Sequence, residues 1–130
     1  MKRDQTLEVV WFKRDLRVED HRPLSQAQAA AQCAGQGAVL PLYIAEPEFW
    51  QLPDASARQW AFVVEGLESL HAALSARGQG LCLRTGDAVA VLEALRQAFP
   101  KMRLWSHEET GNAWTFARDR RVAAWASTHG

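Results

Sequence analysis

The sequence has little cysteine and no long apolar run. Its two cysteines, Cys33 and Cys82, lie far apart and have no pair of histidines beside them. Metal sites need clustered ligands, so none is expected, and reduced buried thiols are favoured over a disulfide. The N-terminus leads into one short strand rather than a signal-peptide core, and no segment is long enough to span a membrane. We therefore expect a cytoplasmic protein with no metal and no membrane contact.

Excess charge is also missing. Fifteen basic residues balance fifteen acidic ones, which gives a net charge of zero. A protein that grips DNA by itself usually presents a basic face, because it must neutralise phosphates. The composition thus gives no support for a chain that binds DNA unaided. A chain of 130 residues that is 48% hydrophobic fits one domain, over residues 1–130, with a real core.

Glycine-rich phosphate loops are absent as well. Neither G-x-G-x-x-G nor G-x-x-x-x-G-K-[ST] follows any predicted strand, and the loop after the first strand contains no glycine. Backbone amides in that loop cannot easily approach a pyrophosphate. This argues against a dinucleotide dehydrogenase and against a nucleoside triphosphatase.

Strand-like and helix-like segments alternate along the chain. Strands are predicted at 7–12, 38–44, 81–85 and 103–106, and helices at about 20–34, 56–77, 87–99 and 112–125. Pro41 inside the second strand predicts an edge strand or a bulge, because proline removes one ladder donor. The segment 46–53 is predicted to be a loop. The alternation predicts a three-layer α/β fold, a parallel sheet of four or five strands with helices on both faces.

The sequence indicates the buried side of some helices more clearly than that of others. Asp20 and Asp87 are predicted N-caps of the first and third long helices. The longest helix has one apolar stripe at helical spacing, formed by Trp60, Val63, Val64, Leu67, Leu70 and Leu74. The last helix is poorly amphipathic, since Arg118 and Arg121 fall on the stripe that carries Trp114 and Trp125.

Charged residues follow the first strand, where ligands sit in such sheets. Doubly wound sheets bind ligands outside the carboxyl ends of their strands, at the point where the strand order reverses. The exit loop carries Lys13, Arg14, Asp15 and Arg17. Such a run is either a solvated loop or part of a site. Its mixed signs allow Asp15 to pair with Arg14 or Arg17 and hold the loop in one shape.

The loop after the fourth strand is rich in carboxylates. Glu108 and Glu109 either bind a ring with several N–H donors, such as a flavin or pterin, or are simply solvated. Asn112 is a plausible helix cap. His107 has no readable nucleophile beside it, so it is expected to be structural. His71 is also expected to be structural, and His21 is given no role.

Tryptophan is abundant, with six in the chain. Trp11 ends the first strand and is expected to pack there or to line the crevice. Trp50, Trp114 and Trp125 are candidates for surface that a partner covers, with ordinary packing as the alternative.

Residues 11–20 resemble the opening signature of the DNA photolyase and cryptochrome family. They read Trp-Phe-Lys-Arg-Asp-Leu-Arg-Val-Glu-Asp, against a family pattern of Trp-Phe-basic-Arg-Asp-Leu-Arg that ends in Asp before the first helix. Weaker similarity continues through 39–47, 58–87 and 105–119, where Ala117-Arg118-Asp119 matches an Arg-Asp pair on the final helix. The resemblance covers nearly the whole chain.

The resemblance implies a Rossmann-like sheet in strand order 3-2-1-4-5 and a longer parent protein. In that parent, a C-terminal helical domain, absent from this chain, binds FAD and damaged DNA. The chain is then the light-harvesting and scaffold domain of a photolyase-like flavoprotein. Its parent is a carbon–carbon lyase that repairs pyrimidine dimers, or a blue-light sensor. No catalytic residue is expected in the chain itself.

Many family members hold an antenna chromophore in this domain: a folate, a deazaflavin, a lumazine or a second flavin. The residues predicted to face it are Trp11, Lys13, Arg14, Asp15, Arg17, Glu46, Glu108, Glu109 and Asn112. Arg14, Asp15 and Arg17 are equally candidates for bracing the loop or contacting the missing domain. Folate-using members carry Asn-Glu where this chain has Trp114-Thr115, so a different antenna, or none, is as well supported.

Two other outcomes stay open. A stand-alone flavodoxin-like or universal-stress-type nucleotide-binding module is the alternative function, although only Gly111 is present where an ATP binder needs a glycine-rich loop. The isolated chain is also expected to carry no chromophore, because a crevice that lacks its other wall buries less of a ligand.

Overall fold

The computed structural model describes residues 6–13, 16, 21–33, 38–50, 57–76, 80–106 and 113–129. In chain order the elements are β1 (Leu7–Phe12), α1 (Arg22–Cys33), β2 (Ala38–Ala45), α2 (Pro47–Trp50), α3 (Ala57–Ala76), β3 (Cys82–Thr85), α4 (Ala88–Ala98), β4 (Met102–Trp105) and α5 (Ala113–His129). The predicted alternation is confirmed, with strand and helix ends shifted by one to a few residues. The segment predicted to be a loop at 46–53 begins instead with the single helical turn α2.

The sheet in the described part of the chain has four parallel strands in the order β3-β2-β1-β4. The predicted α/β fold and this strand order are confirmed, and the fifth strand stays a prediction. The chain builds outward from β1 to β3 and then crosses to place β4 on the opposite side of β1. The strand order therefore reverses between β1 and β4, which is where such folds bind ligands.

Helices cover both faces of the sheet, which explains why β1 is an almost continuous apolar run. All six residues of β1 are buried. On one face its side chains pack with α4 and α5, in a core that includes Leu7, Val9, Trp11, Leu92 and Val122. On the other face they pack with α1 and α3, in a core formed by Val10, Phe12, Leu24, Ala27, Leu70 and Leu74. Burial on both faces favours apolar residues at successive positions rather than alternation.

Glu8 is the one charged residue in β1, and it is fully buried. Its carboxylate accepts a hydrogen bond from Trp105 Nε1 at 3.0 Å and pairs with Arg103 Nε at 3.0 Å. A buried carboxylate must be matched by donors and an opposite charge, and both come from β4. Glu8 therefore ties the central strand to its neighbour β4.

Pro41 lies in an interior strand, and the expectation of an edge or bulge is wrong. It sits opposite Val10 of β1, whereas β3 pairs with β2 only from Leu42 onward. The described part of β3 is too short to reach Pro41. On that side of β2 the proline therefore interrupts no observed ladder, which lets it occupy the middle of the sheet.

A histidine supplies the cap that the structure shows at the start of α1. His21 is buried, and its Nδ1 accepts a hydrogen bond from the backbone N–H of Leu24 at 3.1 Å. Its ring also packs on Phe12, with centroids 4.7 Å apart. The prediction that His21 has no role is wrong; Asp20 lies outside the described residues. Asp87 is confirmed as the α4 cap, since it accepts from Ala90 N at 3.1 Å.

The predicted core stripe of α3 is correct over its second half only. Leu67, Leu70 and Leu74 are buried, but Trp60 is 37% exposed and contacts Trp50 edge-on at 5.0 Å. In the first turn of α3, Trp60 therefore contacts the short helix α2 instead of entering the core. Cys82 is a free thiol but only half-buried, and the side chain of Cys33 lies outside the described residues.

Candidate functional site

At the edge of the sheet where the strand order reverses, and where the crevice was expected, β1 runs past the end of β4. The last residue of β4, Trp105, lies opposite Val10, while β1 continues to Phe12. The side of β1 beyond Val10 therefore has no partner from β4. Lys13 follows β1 and Glu46 follows β2 at the same edge of the sheet, and α5 crosses there after β4. Three of the predicted site residues, Trp11, Lys13 and Glu46, are brought together at this edge.

Residues of α5 complete this group and join its charges into a chain. Arg118 donates from Nη1 to Glu46 Oε1 and from Nε to Asp119 Oδ1, the second bond being 2.7 Å long. Lys13 Nζ lies 3.2 Å from Asp119 Oδ2. We refer to these residues together as the crevice network: Trp11, Lys13, Glu46, Trp114, Arg118 and Asp119.

The charged side chains of the crevice network are largely buried, and their charges cancel. The side chains of Arg118 and Lys13 are 3% and 6% exposed, and those of Glu46 and Asp119 are 10% and 17% exposed. Two cations facing two carboxylates avoid leaving a buried charge without a partner, which would be far more costly than the pairs themselves. The arrangement joins α5 to the ends of β1 and β2 rather than presenting a charged surface.

Trp11 lies beneath both cations. Lys13 Nζ is 4.6 Å and Arg118 Cζ is 4.8 Å from the centroid of its ring, and Arg118 Cζ is 5.6 Å from the centroid of Trp114. These distances fall within the range of favourable cation–π contacts. One guanidinium thus contacts two indole rings, one from β1 and one from α5.

Arg118 was not among the predicted site residues, although the sequence carried a signal for it. Arg118 falls on the stripe that carries the tryptophans. A charged residue there makes α5 look poorly amphipathic, because charged side chains are expected to face solvent. The structure shows that Arg118 is 2% exposed and faces the sheet. A cation on an apolar stripe, with carboxylates at the ends of neighbouring strands, indicates a buried ion pair and could have identified it.

Trp50, Trp114 and Trp125 are half-buried rather than fully exposed. The indole Nε1 of Trp125 donates to Glu93 Oε1 at 3.0 Å. Glu93 also accepts from Arg96 Nη2 at 2.7 Å. These two donors, Arg96 first, hold the pKa of Glu93 at about 2, below its ordinary 4.5. The contact fastens α5 to α4 and so helps to set where Arg118 lies.

The remaining predicted site residues lie outside the described part of the chain: Arg14, Asp15, Arg17, Glu108, Glu109 and Asn112. In the chain they belong to the segments that follow β1 and precede α5. Their predicted role stays a prediction. His107 lies outside the described residues as well, whereas His71 is exposed and its Nδ1 accepts from Leu81 N at 3.2 Å, a structural contact.

Metal-ligand clusters and membrane-spanning helices are both absent from the described residues. No group of three or more His, Cys, Asp or Glu side chains in these ranges could hold a metal ion. Within the same ranges, no helix has the length and apolarity needed to cross a membrane.

Solved structures with the same fold come from photolyases and cryptochromes. A Synechocystis cryptochrome superimposes with a TM-score of 0.81 over 98% of this chain and 26% of its own, at 22% identity. A class III photolyase from Agrobacterium tumefaciens gives a TM-score of 0.75 over 100% of this chain and 25% of its own, at 23% identity. At these identities the similarity establishes the fold.

Sequence comparison extends the similarity beyond the fold. A cryptochrome DASH of Oryza sativa is 31% identical over 109 residues, which are 78% of this chain and 18% of the relative. The deoxyribodipyrimidine photo-lyase of Escherichia coli is 38% identical over 94 residues, covering 71% of this chain and 19% of the enzyme. The chain thus spans about a fifth of the length of these curated relatives. The family model for DNA photolyase matches residues 8–130. The chain belongs to the DNA photolyase family.

Proposed function

We propose that this chain is the light-harvesting and scaffold domain of a longer photolyase-like flavoprotein, which acts in DNA repair or in blue-light signalling. The observation that carries the proposal is the crevice network, which lies at the strand-order reversal of a photolyase-family domain. FAD and damaged DNA would be bound by the rest of that longer protein. A cytoplasmic location remains part of the proposal.

Burial supports the scaffold role first. Trp11 is 2% exposed, and the polar heads of Lys13 and Glu46 are engaged by Asp119 and Arg118. Side chains so engaged do not fit direct contact with a chromophore. Their proposed task is to hold α5 against the carboxyl ends of β1 and β2 and thereby shape the wall of the crevice.

Direct contact with a chromophore is better suited to Trp114. Its ring is half-buried, and one guanidinium, from Arg118, fixes its position. Aromatic faces stack readily on flat ring systems. Glu108 and Glu109, in the segment just before α5, are proposed to contribute hydrogen-bond acceptors to the ring edge. An antenna bound there would absorb light and pass its excitation to FAD.

The chemistry at the start of α5 does not fit folate held in the usual way. Folate-using relatives are expected to present a carboxylate where this chain has Thr115, and Thr115 is 1% exposed. A buried hydroxyl offers no charge to a pterin. A deazaflavin, a lumazine or a second flavin is therefore the proposed class of antenna, if the longer protein carries one.

The alternative of a stand-alone nucleotide-binding module is not favoured. The sequence has no glycine-rich phosphate loop. The family model covers residues 8–130, and the curated relatives are photolyases and blue-light receptors.

The test uses the natural full-length protein that carries this domain. Its chromophores are released by denaturation, separated and counted for the wild type and for Trp114→Ala. We expect wild-type protein to release FAD and a second chromophore, and the variant to keep FAD but lose the second. Phe116→Ala is the matched control, because Phe116 lies on the same helix with 60% of its surface exposed.

Each result has a distinct meaning. If Trp114→Ala retains the second chromophore, the proposed contact is wrong, while the family-level function stands. If the wild-type protein releases no flavin at all, the proposed function itself is rejected.

A further inference from the structure

A depression lies on the opposite face of the sheet from Trp11, between α3 and the edge strand β3. It has a volume of about 480 Å³ and a mostly apolar lining. Val64 and Leu67 of α3 line one side, and Tyr43 and Leu83 line the sheet side. We call this depression the edge groove. Its size falls within the range of roughly 300 to 1,000 Å³ that is typical of small-molecule sites.

Two large apolar side chains in the edge groove remain open to solvent. Leu83 is 55% exposed and Trp60 is 37% exposed. Trp60 on α3 and Leu83 on β3 both line the groove, so their exposed surface is continuous with its lining. Adjacent exposed apolar groups of this kind mark binding surfaces more often than isolated ones do. The flat rings of Trp60 and Tyr43 favour an aromatic occupant over an aliphatic one.

The rim of the edge groove carries one basic and one acidic side chain. Arg84 donates a single hydrogen bond, to the carbonyl oxygen of Leu83 at 2.9 Å, and forms no ion pair with any residue that the structure describes. Glu68 likewise has no hydrogen bond or ion pair within the described ranges. A guanidinium offers five N–H donors, so Arg84 retains most of its capacity to bind an anion.

We propose that the edge groove binds a flat aromatic molecule that carries one negative charge. The ring packs between α3 and β3, on Leu67 and Leu83, and Arg84 pairs with the anionic group. Glu68 limits the bound molecule to one negative charge, because a second negative group in the groove would lie near the Glu68 carboxylate. Such binding is independent of any chromophore in the crevice, since the two sites lie on opposite faces of the sheet.

The probe is anilinonaphthalene sulfonate, an aromatic monoanion whose fluorescence rises when it enters an apolar site. We expect saturable binding with one dominant site on the folded chain. Arg84→Gln is expected to weaken it about tenfold, because a hydrogen bond to a charged group is lost. Leu83→Ser is expected to weaken it as well, and Glu68→Gln to strengthen it. Arg120→Gln is the matched control, since Arg120 is an exposed arginine on α5, away from the groove.

Competition between aromatic anions tests directly whether the groove prefers one negative charge to two. Naphthalene monosulfonate is expected to displace the probe at lower concentration than naphthalene disulfonate does. Near-ultraviolet circular dichroism of every variant shows that the fold is intact, because the probe also binds loosened proteins. Equal affinity in wild type, Arg84→Gln and Leu83→Ser would overturn the proposal. So would equal losses in Arg84→Gln and Arg120→Gln, or stronger displacement by the disulfonate.

Discussion

The guanidinium of Arg118 holds three parts of the molecule together. It bonds to Glu46 after β2, to Asp119 on its own helix, and lies against the ring of Trp11 in β1. An arginine buried to this extent is tolerated only because opposite charges and aromatic faces replace the water it loses. Its removal affects more than one contact, since the Glu46 carboxylate would stay buried without its cation.

Arg118→Met is therefore expected to lower the free energy of unfolding by about 3–5 kcal/mol, the usual cost of leaving one member of a buried pair behind. Urea denaturation followed by circular dichroism measures the change. The double variant Glu46→Gln with Arg118→Met should regain part of the loss, because the orphaned charge is then gone.

The matched control for Arg118 lies on the same helix. Arg121 pairs with Asp87 at 3.1 Å, but both side chains are about half exposed. Arg121→Met is expected to cost less than about 1 kcal/mol, as is typical of surface pairs. Equal losses of unfolding free energy in the two methionine variants would show that the buried network contributes no more to stability than a surface pair does.

His21 matters through one backbone hydrogen bond. His21→Ala is expected to destabilise the protein by about 1 kcal/mol, since it leaves the N–H of Leu24 without the Nδ1 acceptor. His21→Asn should stay close to wild type, because asparagine is a good N-cap. Urea denaturation of both variants measures this difference. If alanine and asparagine give the same stability, the cap does not hold α1.

At the scale of elements, the position of α5 depends on its contacts with α4. Glu93 of α4 binds Arg96 on its own helix and Trp125 of α5. Because its folded-state pKa of about 2 lies below the ordinary 4.5, Glu93 stabilises the fold above pH 4.5. That contribution is lost as the pH falls from 4.5 towards 2, where the carboxylate becomes protonated.

Glu93→Gln is accordingly expected to make stability less dependent on pH across this window. The urea midpoint, measured at intervals between pH 2 and pH 6, reports the effect. Glu65→Gln, at an exposed position of α3, is the control and should leave the acid limb unchanged. An acid limb in Glu93→Gln as steep as in wild type would contradict the assignment.

Periodicity and turn residues located most elements, because local forces fix them. The β-branched run of β1 and the Asp87 cap needed no tertiary information. The helical turn α2 and the exposure of Trp60 did need it, since both depend on how α2 and the start of α3 lie against each other. The role of His21 was missed because imidazole is an uncommon N-cap.

The candidate site was predictable in part for a similar reason. The positions of Trp11, Lys13 and Glu46 at or just after predicted strand ends indicated that they lie close together, because parallel strands bring their carboxyl ends to one edge. Arg118 and Asp119 could not be derived from the same rule, since they lie on a helix. Their place in the site depends on how α5 crosses the sheet, and this is a tertiary feature.

For the whole molecule, the absence of net charge limits what the domain does alone. A chain with a net charge of zero has no overall basic excess with which to neutralise DNA phosphates. We expect the isolated 130-residue chain to show no binding to ultraviolet-irradiated DNA at physiological salt in a gel-shift assay. A salt-sensitive complex with micromolar affinity would contradict this and would imply a basic face on the domain itself.

The proposed function as part of a light-driven flavoprotein is tested most directly by an absorption spectrum. The measurement is the near-ultraviolet and visible absorption spectrum of the natural full-length protein, recorded beside that of the isolated chain. We expect flavin bands in the full-length protein and none in the isolated chain, because FAD is proposed to be bound by the rest of the longer protein. A full-length protein without flavin absorption would contradict the proposed function.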